Sequence, residues 1–145
     1  MSADSASSPP QPRILLAGTT VAVQNFTRAL GSHAVVIPAY SVREALQVPL
    51  DEIDAVLCNV RFDESRMFEF LQALGERMGA RRIPVICVRM YRVFSPTTLT
   101  AVAEALQVLG VTRFLDLFDL REREGLEVAL NELREAVLEE CAKAE

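Results

Sequence analysis

Five short apolar runs, each followed by a segment of helical pattern, constrain the fold of this chain more than any other feature of its sequence. Nearly continuous apolar strands that alternate with amphipathic helices are typical of a parallel sheet covered on both faces. We therefore expect an α/β domain built around one doubly wound, five-stranded parallel sheet. The runs are RILLAG (13–18), HAVVIPAY (33–40), DAVLCNV (54–60), IPVICVRM (83–90) and VTRFLDLF (111–118).

The segments between the runs predict helices with recognisable starts and stops. Gly31 and Gly110 follow helical patterns, and Ser41 and Ser95 stand where an N-cap belongs. Right-handed crossovers leave few topologies for five such units, and the flavodoxin-like strand order 2-1-3-4-5 is the expected one. Pro38 places strand two at an edge, since proline cannot donate to a ladder. The predicted helices cover residues 19–32, 41–48, 67–79, 95–110 and 123–145.

The length of 145 residues fits a single domain, which we expect over residues 13–145. Residues 1–12 are rich in Ser, Pro and Ala, and this composition predicts a disordered tail. The tail lacks the basic and apolar parts of a secretion signal, and no apolar run approaches the length of a membrane span. We therefore expect a cytoplasmic protein with no membrane partner.

The net charge of −5 is concentrated at the end of the chain. Residues 119–145 carry 9 acidic against 4 basic side chains, whereas residues 1–118 carry 11 of each. An acidic last helix is a poor footprint for nucleic acid, because phosphate neutralisation needs Lys and Arg. We expect no nucleic-acid partner, and we interpret the charge as a solvated helix face, with docking of a basic partner as the alternative.

The cysteines and the single histidine offer no metal-ligand pattern. Cys58, Cys87 and Cys141 form no CxxC pair, and His33 stands alone. Cys58 and Cys87 lie in apolar runs, where cysteine usually behaves as a small hydrophobic residue. No metal or cofactor is expected from these residues.

Four stretches together resemble the receiver domains of two-component response regulators. DAVLCNVRFDESRMFEFLQAL (54–74) is similar to the family's third strand, loop and third helix without a gap. The other three are similar to its opening strand, its proline-led fourth strand and the segment before its lysine. They are RILLAGT (13–19), IPVICVR (83–89) and GVTRFLDLFD (110–119). The resemblance covers residues 13 to about 141 and implies a CheY-like fold.

In that family the ends of the strands carry out phosphoryl transfer. Two acids bind magnesium, an aspartate attacks phosphorus, and a Thr or Ser and a Lys hold the phosphoryl oxygens. The match places Gly18 and Thr19 at the acid pair, Asn59 at the aspartate, Arg89 at the Thr/Ser and Leu117 at the Lys. Magnesium prefers carboxylate oxygens, and a neutral amide has no anionic oxygen with which to attack. We therefore expect a degenerate pocket without metal, cofactor or enzymatic activity.

Arginines replace the family's carboxylates around Asn59. We expect their guanidinium groups to pair with Asp63 or Glu64 and so to hold the loop after strand three. Binding of a phosphate or carboxylate ligand is one alternative, and simple solvation is another. The arginines concerned are Arg61, Arg89 and, as a further candidate, Arg92.

Strand alternation gives a prediction about side-chain direction at this edge. The gapless match places Asn59 and Arg89 on the same side of the sheet. Because side chains alternate along a strand, Cys58 and Cys87 should then point to opposite faces. We expect no disulfide between them.

The preserved scaffold and the missing chemistry together suggest a pseudo-receiver that acts by association with another protein or with a second copy. The surface expected to bind is formed by the helix at 95–110, strand five and the last helix, with Phe114 at the family's switch aromatic position. The stretch MYRVFSP (90–96) either packs on the core or adds an apolar patch for a partner. Two alternatives remain, a sensor that binds a small anion in the arginine-bearing pocket and a receiver phosphorylated at an unconventional residue.

Overall fold

The computed structural model describes residues 10–79, 82–91 and 96–144, without the side chains of residues 64, 65, 96 and 97. Five strands form one sheet in the order β2-β1-β3-β4-β5, and every neighbouring pair is parallel, which confirms the predicted doubly wound fold. Since all strands run the same way, their carboxyl ends meet at one edge of the sheet. The strands are β1 (Arg13–Ala17), β2 (Val35–Ala39), β3 (Ala55–Asn59), β4 (Val85–Arg89) and β5 (Arg113–Asp116).

Helices connect the strands and continue beyond the last one. Ser41 caps α2 as predicted, because its Oγ accepts the N–H of Glu44 at 3.1 Å. The predicted cap Ser95 lies outside the described residues. The helices are α1 (Thr20–Leu30), α2 (Val42–Gln47), α3 (Met67–Met78), α4 (Pro96–Val108), α5 (Phe118–Glu124) and α6 (Leu126–Lys143).

The sheet separates the core into two clusters, one on each face. Leu57 packs in a cluster with Phe26 of α1 and Leu133 of α6. Its neighbour Val56 points the other way, into a cluster with Phe70 of α3. Alternate residues of one strand therefore serve different layers, as expected for a sheet with helices on both faces.

The two outer strands are β2 and β5. The edge position that Pro38 predicted for strand two is confirmed, since β2 stands at one end of the strand order and pairs with β1. Strand five is shorter than the predicted 111–118. Asp116 ends it, because Oδ1 of Asp116 accepts the N–H of Phe118 at 3.4 Å and turns the chain into α5.

The C-terminal helical region is divided in two, whereas the sequence predicted one helix over 123–145. Gly125 separates α5 from α6 at a φ of 97°, a conformation that strains side chains other than glycine. Its N–H closes α5 by donating to the carbonyl of Arg121 at 2.9 Å. A second helical feature, the four-residue turn Phe62–Ser65, lies within the loop predicted after strand three.

Residues 1–9 of the predicted tail lie outside the described residues. Just after them, the carbonyl of Pro12 accepts the N–H of Val35 at 2.9 Å. None of the helices in the described part of the chain has the length and apolar character needed to cross a membrane.

Candidate functional site

The predicted site residues fall into two groups at the carboxyl edge of the sheet. Gly18, Thr19 and Asn59 meet where β1 and β3 end, and a Cβ on Gly18 would lie 3.3 Å from the Cβ of Asn59. Arg89 and Leu117 meet where β4 and β5 end, because the N–H of Leu117 donates to the carbonyl of Arg89 at 2.8 Å. We call these two places the β1–β3 mouth and the β4–β5 mouth.

Gly18 and Thr19 connect β1 to α1. A Cβ on Gly18 would also lie 3.1 Å from the Cβ of Ala22, so the close approach of α1 and Asn59 favours glycine here. Thr19 is the N-cap of α1, and its Oγ1 accepts the N–H of Ala22 at 3.2 Å. The two residues thus start a helix at the positions that the sequence resemblance assigns to an acid pair.

Asn59 is the last residue of β3, and only 7% of it is exposed. Its Oδ1 accepts the N–H of Arg61 at 3.1 Å. An Asn side chain that binds the backbone two residues ahead forms an Asx turn and fixes the start of a loop. The amide oxygen at this position therefore orders the loop that follows.

Asp63 ties that loop to α2. Its Oδ2 accepts the N–H of Val42 at the start of α2 at 2.8 Å and the Nη1–H of Arg66 at 3.3 Å. Asp63 has a φ of 47°, a left-handed conformation that Asp tolerates better than most residues. The predicted partner Arg61 makes no ion pair with the described carboxylates, and Arg66 takes its place at Asp63. The side chain of Glu64 lies outside the described part of the chain.

Arg89 closes the β4–β5 mouth. Its guanidinium makes a bidentate pair with Asp116, with Nε to Oδ1 and Nη2 to Oδ2 both at 2.9 Å. Only 7% of the Arg89 side chain is exposed, against 33% of that of Asp116. The guanidinium carbon also lies 5.1 Å from the ring centre of Phe118. The prediction that this arginine pairs with an acid of the same chain is confirmed. The predicted partner Asp63 is wrong, because the partner is Asp116.

Sequence reasoning missed Asp116, and the reason is the strand register. Arg89 and Asp116 are partners in the β4–β5 register, so their side chains leave neighbouring strands at the same level. The signal was present as two opposite charges near the ends of consecutive apolar runs. The predicted strand ran on to residue 118, and this extension hid Asp116 inside it.

The prediction of which side chains share a face at this edge is wrong, because the register between β3 and β4 differs by one residue from the predicted one. Asn59 is level with Val88, and Cys58 is level with Cys87. The two cysteines therefore share one face, in the same core cluster, while Asn59 and Arg89 point to opposite faces. A one-residue slip in register exchanges the faces of all side chains on a strand.

The cysteine pair is buried and consists of free thiols. Burial raises the pKa of the Cys58 thiol well above its ordinary value, and a hydrogen bond with Cys87 raises this pKa further. Since the thiolate is the reactive form, the Cys58 thiol is poorly placed for chemistry. The two cysteines fill the core beside the site.

Leu117 and Phe114 have structural positions on β5 and just after it. Leu117 is buried in the core shared with α6. Phe114 is level with Cys87 and packs, partly buried, against the opposite core cluster. Phe114, the residue predicted at the switch aromatic position, thus lies on a strand whose end is held by the pair between Arg89 and Asp116.

Besides Arg89 of β4, an arginine of α5 holds the segment after β4. Nε of Arg121 donates to the carbonyl of Met90 at 2.9 Å, and its guanidinium carbon lies 4.3 Å from the ring centre of Tyr91. Met90 is buried, and Tyr91 is 37% exposed. No pattern in the sequence indicates this contact, because it joins residues 31 positions apart. Residues 92–95, which include Arg92, lie outside the described residues.

The donor set at the β1–β3 mouth does not fit magnesium. A glycine, a threonine and an asparagine stand at the ends of β1 and β3, and none offers a carboxylate. Within residues 10–79, 82–91 and 96–144, no three His, Cys, Asp or Glu side chains gather into a metal-binding group. We derive no chemical step through a metal.

A cleft of about 460 Å³ opens at the β1–β3 mouth. Thr19, Asn59 and Arg61 line one part of it, and Met90 and Tyr91 line another. The cleft therefore brings together three of the predicted site residues. Arg89 and Leu117 are not among its lining residues.

Several solved structures with the same architecture are receiver domains. A CheY-like response regulator receiver domain protein from Methanospirillum hungatei JF-1 superposes with a TM-score of 0.64 at 16% identity, over 94% of this chain and 100% of that chain. The chemotaxis response regulator CheY4 of Vibrio cholerae gives a TM-score of 0.62 at 18% identity, over 87% and 98%. This chain has the CheY-like receiver fold.

The phosphorylated cyanobacterial phytochrome response regulator RcpA shares this receiver fold too, with a TM-score of 0.64 at 13% identity over 88% of this chain and 91% of that chain. No protein-family model matches the sequence, and no curated protein matches it. At such identities the likeness concerns the fold, and function has to be argued from the residues of this chain.

Proposed function

We propose that this chain is a pseudo-receiver, a cytoplasmic signalling module that acts by binding a protein and needs no phosphorylation. The observation that carries the proposal is the receiver fold with Gly18, Thr19 and Asn59 at the β1–β3 mouth. None of these three residues has a carboxylate to bind a cation or to attack phosphorus. A scaffold of this kind retains surfaces for association, and association is the function we assign to it.

The proposed binding surface consists of α4, β5 and α6. The thirteen residues of α4 include one charged side chain, Glu104. Val108 of this helix is 87% exposed. Interface cores are depleted of charge, so a nearly uncharged helix surface favours protein docking.

Ion pairs attach α6 to β5 within this surface. Nη1 of Arg113 lies 2.7 Å from Oε1 of Glu139 and 3.3 Å from Oε2 of Glu140. The hydrogen bond from Arg113 lowers the pKa of Glu139, and the charge of Lys143 adds to this effect. The surface is therefore supported by contacts between its elements and needs no ligand to assemble.

At the β4–β5 mouth a switch movement of the kind that the family uses would have to break the contacts of Arg89. Arg89 is held by two hydrogen bonds to Asp116 and by the ring of Phe118. The proposal is therefore a module with one fixed arrangement of its binding surface. The partner is another protein or a second copy of this chain.

The test compares two exposed valines on different sides of the molecule. Val108→Glu places a charge on the proposed surface, and Val35→Glu places the same charge on β2 at the opposite edge of the sheet. We expect Val108→Glu to abolish the retention of partner proteins in a quantitative pull-down, or the formation of the dimer measured by light scattering. Val35→Glu should change neither result. Monomeric wild type that retains nothing specific, or equal loss in both variants, would refute the proposal.

A further inference from the structure

The cleft at the β1–β3 mouth has one apolar wall made by α1. Val21, Ala22 and Phe26 lie along it, and Ala22 and Phe26 are buried. Met90 and Tyr91 supply apolar surface after β4. Ligand pockets are commonly a few hundred Å³ in volume, mostly apolar, with a few polar groups that fix orientation. The volume of about 460 Å³ is of that kind.

Arg61 is the one charged residue among the described lining residues. Its side chain is exposed and forms no ion pair with a described carboxylate. Two described acids at the carboxyl edge are engaged elsewhere, since Asp63 pairs with Arg66 and Asp116 pairs with Arg89. A positive charge that has no counter-ion among the described side chains and lies beside an apolar cleft attracts an anion that carries apolar surface.

Polar atoms of the wall include an unsatisfied donor. Asn25 of α1 lines the cleft, and its Nδ2 is buried without a hydrogen-bond partner in the described structure. A buried donor without a partner costs about 1–3 kcal/mol. A ligand oxygen would offset this cost if the Asn25 side chain turned Nδ2 toward the cleft, because Nδ2 is buried in the present arrangement.

We propose that the cleft at the β1–β3 mouth binds a small monocarboxylate with an apolar body, with its carboxylate at Arg61 and its body between α1 and Tyr91. A single guanidinium matches a single negative charge. Phosphate, nucleotides and cyclic dinucleotides carry more charge and less apolar surface than these walls offer. The ligand site is distinct from the association surface of α4, β5 and α6, and it stands whether or not that surface binds a partner.

The first experiment measures the affinity for octanoate and for its neutral amide by calorimetry. We expect octanoate to bind in the micromolar to millimolar range and at least about ten-fold more tightly than octanamide, because the charge-assisted hydrogen bond requires the carboxylate. Arg61→Gln should remove this preference. Arg43→Gln, which neutralises an exposed arginine on α2, should keep it.

A second variant tests the cleft without changing the arginine. Val21 is exposed and lines the cleft, so Val21→Glu adds a negative charge at its wall without disturbing the core. Octanoate binding should be lost in Val21→Glu and retained in Val128→Glu, which places the same change on α6. Absence of binding to wild type at millimolar octanoate, or binding that survives both Arg61→Gln and Val21→Glu, overturns the proposal.

Discussion

The two mouths at the carboxyl edge of the sheet treat an arginine in opposite ways. At the β4–β5 mouth Arg89 is buried, paired through two hydrogen bonds of 2.9 Å with Asp116 and stacked on Phe118. At the β1–β3 mouth Arg61 is exposed and has no described carboxylate partner. The first arginine is part of the structure, and the second is free to meet a ligand. Two arginines that look equivalent in the sequence therefore have different roles.

The difference comes from the acidic residue that each mouth can place beside its arginine. The partner of Arg89 is level with it on the adjacent strand, so no loop has to be ordered to form the pair. The loop after β3 instead uses its acid, Asp63, to cap α2 and to pair with Arg66. Arg61 is left with a backbone bond to Asn59 as its described contact.

The largest effect is expected from Asp116→Ala at the closed mouth. The change leaves Arg89 buried without its counter-ion, and breaking a buried pair in this way costs about 3–5 kcal/mol. Because Asp116 is one-third exposed, we expect a loss near the lower end, about 3 kcal/mol, in urea unfolding. Asp119→Ala on the exposed side of α5 is the matched control and should cost less than about 0.5 kcal/mol. Equal losses in the two variants would show that the mouth is not closed by this pair.

Asp63→Ala should have the next largest effect. It removes the acceptor for the N–H of Val42 and places alanine at a φ of 47°. We expect a loss of about 1–2 kcal/mol in the free energy of unfolding, the usual size for a lost helix cap. Asp63→Asn keeps an acceptor and a residue that tolerates this φ, so it should retain most of the stability. If asparagine were as damaging as alanine, the capping contact would not be the reason.

Gly18→Ala probes the packing of the open mouth and should cost about 1 kcal/mol. The new Cβ would lie 3.1 Å from the Cβ of Ala22, so α1 has to shift by a few tenths of an ångström. Gly75→Ala on α3 is the control, because a Cβ added at this position would have no neighbour within 4 Å. This change should be neutral or stabilising. A Gly18→Ala protein as stable as wild type would mean that β1 and β3 are less tightly packed here than described.

The smallest effect on stability is expected from Arg61→Gln. An exposed side chain without an ion pair contributes within about 0.5 kcal/mol, so the urea midpoint should stay where it is. Arg89→Gln, in contrast, leaves Asp116 without its partner and should lower the midpoint clearly. Similar midpoints for the two variants would remove the contrast between the mouths.

The sheet could be predicted from sequence because each strand is a short apolar run and each crossover is constrained in hand. The edge position of β2 was readable from Pro38. The register was not, since apolar runs buried on both faces carry no alternation that fixes it. For this reason the shared face of Cys58 and Cys87 and the pairing of Arg89 with Asp116 appeared only in the structure.

Other contacts could not be predicted because they join segments that lie far apart in the sequence. Asp63 reaches the start of α2, 21 positions earlier in the chain, and Arg121 reaches the carbonyl of Met90, 31 positions earlier. Gly125 was a readable signal, because a glycine inside a helical pattern often marks its end. The long acidic helix predicted over it concealed the boundary between α5 and α6.

The most direct test of the central claim is intact-mass spectrometry after incubation with acetyl phosphate and magnesium, beside an active receiver domain as positive control. We expect no phosphoryl adduct on this chain under conditions that label the control, because Gly18, Thr19 and Asn59 at the β1–β3 mouth offer no carboxylate nucleophile and no carboxylates for the cation. The carboxylate of Asp116 at the other mouth is paired with Arg89. A stoichiometric adduct that maps to residues 59–63 would contradict this expectation.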